Sequence, residues 1–245
     1  MNAEFNLARL GLFIKRQLLL NINTILIAIA AVVGVLLIIS GLTAYSNPNK
    51  VQNLVPLYLV VLFIGGYIFT SRIFGELHSP QKSYTFLTLP VSTAEKLLGT
   101  WLIVSPFFLI TAIAGTFLLM YVSSLMAGQP AQLPSFTDTY FTRTIGAFWV
   151  TQTFFFLGAI AFRGNNFLKT LLALFLIAIV VGGYAVGLAY MLFGNKGNLG
   201  PSDVSGDFHK TAEFIFTDVV PFLFWYVLGP FLLVVSYFKL KERQV

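Results

Sequence analysis

The chain contains no cysteine. Disulfides, thiolate metal sites and thiol nucleophiles are therefore excluded. Histidine is scarce too. There are two, His78 and His209, too few for a catalytic cluster, and no set of metal ligands is evident. Charge is equally sparse. Only 10% of the 245 residues are charged, against about 25% in an ordinary soluble domain. No G-x-x-x-x-G-K-[ST] string occurs, so the backbone cradle that grips nucleotide phosphates is missing. No cleavable leader is evident. The first long apolar run starts near Ile22, lacks a small-residue cleavage site and is long enough to stay in a membrane.

What the chain has in abundance is apolar surface. Hydrophobic residues make up 57%, with 26 phenylalanines, and the mean hydropathy is +0.84. A globule of this composition would leave large greasy patches in water, so lipid is the simpler solvent. A helix crosses the hydrocarbon layer with about 20 mainly apolar residues. Six stretches qualify: 22–42, 54–71, 97–124, 144–162, 167–193 and 219–238. The expected fold is an all-α membrane protein of six transmembrane helices, forming one domain over 1–245.

Basic residues orient such helices, because Lys and Arg concentrate in cytoplasmic connections. With the N-terminus inside, the inner segments hold Arg9, Lys15, Arg16, Arg72, Lys82, Lys96, Arg163, Lys169, Lys239, Lys241 and Arg243. The outer ones hold Lys50, Arg143, Lys196 and Lys210. The acids lean the other way: Glu4, Glu76, Glu95 and Glu242 fall inside, and Asp138, Asp203, Asp207, Glu213 and Asp218 outside. Both termini are thus expected in the cytoplasm. The formal charge of +6 follows from this asymmetry, and no nucleic-acid partner is expected.

Residues 4–20 precede the first stretch. Leu7, Gly11, Ile14 and Leu18 form one stripe, with Arg9 and Arg16 on the opposite side. That pattern predicts an interfacial helix lying among inner headgroups, its basic side toward anionic lipid. The alternative is a plain extension of the first span. The outer loops 43–53, 125–143 and 194–218 carry turn chemistry in Asn47-Pro48-Asn49, Gln129-Pro130 and Gly197-Asn198-Leu199-Gly200-Pro201. The stretch from Phe208 to Val220 regains apolar residues and reads either as a short helix at the outer leaflet or as irregular loop.

The inner loop 72–96 is the most informative segment. Pro80 and Pro90 bracket a piece containing Tyr84, Phe86, Leu87 and Leu89. Ser92 can cap a helix whose capping-box acid is Glu95, three residues on. Exposed aromatic and leucine side chains in such a loop are costly unless they meet something. Either they fold back on the bundle or inner leaflet, or they dock a cytoplasmic partner. The residues singled out are Glu76, His78, Ser79, Pro80, Ser83, Phe86, Leu87, Pro90, Glu95 and Lys96.

Here the sequence resembles the permease subunits of bacterial type-2 ATP-binding-cassette (ABC-2) transporters. The resemblance rests on the string Phe86-Leu87-Thr88-Leu89-Pro90-Val91-Ser92 followed by Glu95-Lys96. It rests also on the elbow-like first helix, six spans with both ends inside, and a contact loop between spans two and three. It implies a coupling helix over Glu76 to Ser83 that sits in a cleft of a separate cytoplasmic ATPase, with Leu87 to Lys96 leading back into the membrane. It also implies a cytoplasmic (inner) membrane location and a homodimer or a heterodimer with a related permease. The chain would bind no cofactor itself; ATP-Mg would sit on the partner, and this chain would not be an enzyme. Export of a hydrophobic or amphipathic substrate is the expected activity.

The span centres hold almost no charge, which argues against an ion or proton route. Their polar residues are neutral: Ser105, Thr111, Thr116 and the cluster Thr151-Gln152-Thr153. That cluster can line a translocation path or join helices by hydrogen bonds. Gly183 and Gly187 form a small-residue pair suited to close packing. Pro106, Pro221 and Pro230 should kink their helices, and Gly229-Pro230 is the candidate hinge. An ion-coupled secondary carrier and a non-transporting assembly subunit are the alternatives. Intramembrane catalysis is disfavoured, because His78 and His209 fall on opposite sides.

Overall fold

The computed structural model describes residues 5–130, 139–193 and 213–243. Residues 131–138 and 194–212, with part of the expected outer loop 125–143, most of the outer loop 194–218, His209 and the start of the expected Phe208–Val220 helix, lie outside the described residues. All described elements are helical. Six helices are long and apolar enough to cross a membrane: Leu7–Ser46, Pro48–Arg72, Thr93–Ala127, Thr139–Ala161, Asn166–Gly187 and Ile215–Glu242. The chain therefore has the architecture of a multi-pass membrane protein.

Helix α1 (Leu7–Ser46) is 40 residues long. At 1.5 Å per residue it spans about 60 Å, roughly twice the hydrocarbon thickness. Asn6 starts it, its side chain accepting from the amides of Ala8 (2.9 Å) and Arg9 (3.4 Å). No proline follows until Pro48, so nothing removes a ladder hydrogen bond before Ser46. The expected interfacial helix over 4–20 is not a separate element; from Leu7 on, its described residues run continuously into the first span. The expected stripe is also displaced. Leu10, Phe13 and Gln17 are the buried residues there, while Leu7 stays exposed. A second buried patch, Leu36, Ser40 and Ala44, lies near the far end. Between them, residues 19–31 touch little of the chain.

Helix α2 (Val55–Arg72) enters through a 3-10 turn, Pro48–Leu54. It leads to two short helices, α3 (Gly75–His78) and α4 (Ser83–Leu87). Helix α5 (Thr93–Leu102) passes through a π-helical turn, Ile103–Phe107, into α6 (Phe108–Ala127). Helices α7 (Thr139–Ala161) and α8 (Asn166–Phe193) are joined by a tight turn. Gly164 and Asn165 in that turn have φ of 64° and 50°, a region glycine and asparagine tolerate best. The last span runs through π-turn Ile215–Val219, α9 (Val220–Phe222), π-turn Leu223–Val227 and α10 (Leu228–Glu242).

Each π-turn lies at or near a proline. Pro106 lies inside the first, Pro221 two residues after the second, and Pro230 three residues after the third. Proline has no N–H, so one ladder hydrogen bond is lost at each, and beside each the ladder has the five-residue reach of a π-turn. Phe108 N bonds Ile103 O, Val220 N bonds Ile215 O, and Leu228 N bonds Leu223 O. The candidate hinge Gly229-Pro230 thus sits in the first turn of α10, at the junction with a π-turn.

Two clusters hold the bundle. Near one end, Tyr58 is wholly buried among Leu36, Leu119 and Met120. Its hydroxyl meets Ser40 Oγ (2.6 Å) and Ser123 Oγ (2.8 Å), joining α1, α2 and α6. At the other end Phe13, Phe74, Leu77, Phe86, Leu97, Val104, Phe156, Ala159, Ile160 and Leu240 pack together. Midway, a Cβ on Gly66 would stand 2.6 Å from the Phe108 and Phe148 rings. Bare backbone is what admits those rings. Gly183 and Gly187 behave differently: among the described residues nothing approaches within 4 Å of where their Cβ atoms would be.

Candidate functional site

The segment 72–96 is built, not slack. Its aromatic payload folds inward. Phe86 is 1% exposed, edge-on to both Phe13 (6.3 Å) and Phe74 (6.4 Å). Leu87 and Leu89 are half-buried against the same cluster. Tyr84 alone among the apolar four projects outward, 76% exposed.

Two carboxylates and one histidine fasten the segment. The Ser92–Glu95 capping box is formed in full. Glu95 Oε2 accepts from Ser92 N (2.7 Å). Its other oxygen accepts from Asn6 N (2.6 Å) and from Arg9 Nη2 (2.9 Å). Glu95 is fully buried, so three donors satisfy a charge that burial would otherwise penalise heavily. Glu76 pairs with Arg16 at 3.1 Å. Arg9 and Arg16 are seven residues apart, two helical turns, and so share a face. The basic face expected to meet anionic lipid holds both acids of this loop instead.

Lys96 is 1% exposed. Its Nζ donates to Leu87 O (3.1 Å) and lies 5.5 Å from the Phe86 ring centroid, a cation–π distance. Its stem is part of the hydrophobic floor beneath α4.

His78 closes the assembly onto the ends of α7 and α10. Arg243 Nη1 donates to His78 Nδ1 (2.9 Å). Since guanidinium can only donate, Nδ1 accepts and Nε2 carries the proton, donated to Ala159 O (2.6 Å). Arg243 Nη2 donates to Ala161 O (3.0 Å), and Asn166 Nδ2 to Ser71 O and Ala159 O (3.2 Å each). The last carbonyls of α7, which a helix cannot satisfy internally, are thus bonded from other elements. Burial holds the His78 imidazole below its ordinary pKa; the Ala159 hydrogen bond opposes that, and the charges of Arg243, Arg163 and Lys169 add to it.

The segments 5–16, 72–96, 162–166 and 243 therefore meet at one end of the bundle. What they leave open is a small tip: Pro80, Gln81, Lys82, Tyr84, Thr85, Thr88 and Pro90 are exposed. Of the residues singled out from the sequence, Pro80 and Pro90 reach that tip. Ser79, Ser83 and Leu87 are half-buried, with Ser79 O accepting from Lys82 N and Ser83 N. Glu76 and His78 are fasteners. Phe86, Glu95 and Lys96 are interior and can only support a contact surface, not form it. Arg9, Arg16 and Arg243 escaped sequence reasoning. The seven-residue spacing of the first two was the available signal.

The polar cluster divides in a similar way. Gln152 is 2% exposed and Thr153 3%. Gln152 Nε2 donates to Thr70 Oγ1 (2.8 Å) and to Val104 O, at the π-turn. Both partners accept, since the Thr70 hydroxyl already donates to Gly66 O, which fixes the orientation of the amide. Thr153 donates to Val150 O (2.7 Å). Gln152 thus ties α7 to α2 and to the π-turn, while Thr153 bonds within α7; both are buried inside the chain. Thr151 is half-buried; its Oγ1 donates to Ala147 O and accepts from Tyr67 Oη (2.7 Å each).

Thr151 and Tyr67 line an open groove of about 640 Å³ between α2, α7 and the last span. Phe63, Phe148 and Trp225 form its walls, and Arg143 is its one cation. Among the described residues no group of three metal-ligating side chains converges. No protein-family model, curated protein or solved structure matches the chain.

Proposed function

We propose that this chain is the membrane-spanning permease subunit of an ABC-2-type transporter. It would export a hydrophobic or amphipathic substrate, driven by a separate cytoplasmic ATPase. The observation that carries the reading is the segment 75–96. It is a folded protrusion whose two carboxylates and histidine fasten it to α1, α7 and α10. A loop that only joined two spans would need no such anchoring. Its exposed tip, with Pro80, Lys82 and Tyr84, is the proposed ATPase contact. Force applied there would reach α1 through Glu76–Arg16 and Glu95–Arg9, and α10 through His78–Arg243.

In this reading the anchored end faces the cytoplasm of a bacterial cell. The excess of Lys and Arg in the segments at that end supports the orientation. The start of α1 plays the part of the elbow by continuing the first span out of the lipid. A second permease copy or a related permease would complete the pathway. The scarcity of charge in span centres favours primary over ion-coupled transport.

Mild solubilisation from the host, followed by identification of co-purifying chains, tests the proposal. An ABC-type ATPase should be recovered with the wild type and lost with Tyr84→Ala plus Lys82→Glu. Both positions are exposed, so insertion and thermal stability should be unchanged. Consistent recovery without any ATPase would sink the reading.

A further inference from the structure

The groove beside Thr151 contains an unexplained charge. Arg143 lies in the second turn of α7, exposed at the rim of the groove. The first turn of α7 has no acid, and among the described residues no carboxylate pairs with Arg143. Below it the walls are aromatic. Phe63 and Phe148 stack at 4.7 Å, and Phe148 and Tyr67 at 5.2 Å. The opposite wall is Trp225, placed by the π-turn Leu223–Val227. It reaches α7 because Gly146 has no side chain: a Cβ there would stand 2.7 Å from Trp225 Cζ3. The hydroxyl of Thr151 is occupied by Tyr67 and Ala147 O, so the floor offers little to a polar guest.

A cation with no ion-pair partner among the described residues, at the rim of a largely apolar groove, complements one class of molecule. We propose that the groove binds a membrane-borne anionic amphiphile, with its phosphate or carboxylate head on Arg143 and its hydrocarbon between Phe63, Phe148 and Trp225. As a statement about binding this needs no ATPase and stands apart from the proposed function. As a statement about cargo it rests on that function and narrows the substrate to anionic lipid-like molecules.

Trp225 supplies the reporter. The chain has three tryptophans, and Trp101→Phe with Trp149→Phe leaves Trp225 alone. That protein, without any partner, would be placed in vesicles containing brominated phosphatidylglycerol or brominated phosphatidylcholine. Quenching of Trp225 should show about a fivefold preference for the anionic lipid, the effect expected of one cation beside an acidic headgroup. Arg143→Gln should abolish the preference and Arg143→Lys should keep it. An excess of inorganic phosphate should leave quenching unchanged. Equal quenching by both lipids in the Arg143 protein would overturn the proposal, as would a preference that survives Arg143→Gln. Relief of quenching by inorganic phosphate would mark a simple anion site and overturn it too. Failure of ATPase co-purification would leave this result untouched.

Discussion

Replacing Glu95 with alanine is the most searching test of how the loop is held. The carboxylate takes three donors: Ser92 N at 2.7 Å, Asn6 N at 2.6 Å and Arg9 Nη2 at 2.9 Å. Truncation removes the capping box, typically about 1 kcal/mol. It also removes one partner of Arg9, whose side chain is 33% exposed. Water can therefore rescue part of that guanidinium, and the loss falls below the roughly 3–5 kcal/mol of a wholly buried broken pair. Asn6 N keeps access to solvent and adds little. Together these losses make about 3 kcal/mol, which lowers the melting temperature by roughly 6–12 °C at the scale of a chain this long. The assay is thermal denaturation in mild detergent, read by loss of the monodisperse peak. Arg9→Ala should cost less, and the double variant should cost clearly less than the two singles added, because both break one pair. A Glu95→Ala protein melting within about 1 °C of wild type would refute the anchoring argument.

Three further outcomes follow from the geometry. His78 is held as the Nε2–H tautomer with its pKa below the ordinary 6.5. The folded chain then binds fewer protons than the unfolded one over the interval below 6.5, so stability rises with pH there and is lost as pH falls through it. His78→Gln keeps a donor for Ala159 O and should flatten that part of a melting-temperature profile between pH 8 and pH 5. Gly66→Ala places a Cβ 2.6 Å from two rings; overpacking should cost about 1–3 kcal/mol, seen as a lower melting temperature. Tyr58→Phe removes the hydroxyl between Ser40 and Ser123, but each serine retains its own backbone acceptor, Leu36 O and Leu119 O. The cost should stay near about 0.6–2 kcal/mol in the same denaturation assay.

Much of this protein is legible from local patterns. Each of the six long apolar helices matches one of the expected stretches; the fourth stretch runs one residue past its helix, and the fifth extends beyond Gly187 to the end of α8. That succeeds because a span must satisfy its own backbone in lipid, so its signal is carried by consecutive residues. The Ser92–Glu95 box is likewise a three-residue affair and can be read directly. Prolines announced distortion at 106, 221 and 230, though not its form as π-turns, which depends on which amide finds which carbonyl.

Composition and patterning alone determined an all-helical, lipid-embedded chain without thiol or phosphate-loop chemistry. They could not determine where the side chains between spans would point. Phe86 reads equally as folded back or as docking a partner, and Lys96 as an inner charge, yet both are interior; Arg9 and Arg16 read as lipid-facing and hold Glu95 and Glu76, 86 and 60 residues away. Gln152 and Thr153, candidates for a path, are both buried, and Gln152 bonds two other elements, while Arg143, counted only as an outer charge, stands at the rim of a groove. Such pairings join residues far apart in the chain, and only packing selects them. Burying a charge costs so much that its partner must be found in three dimensions, and no local pattern records which partner that is.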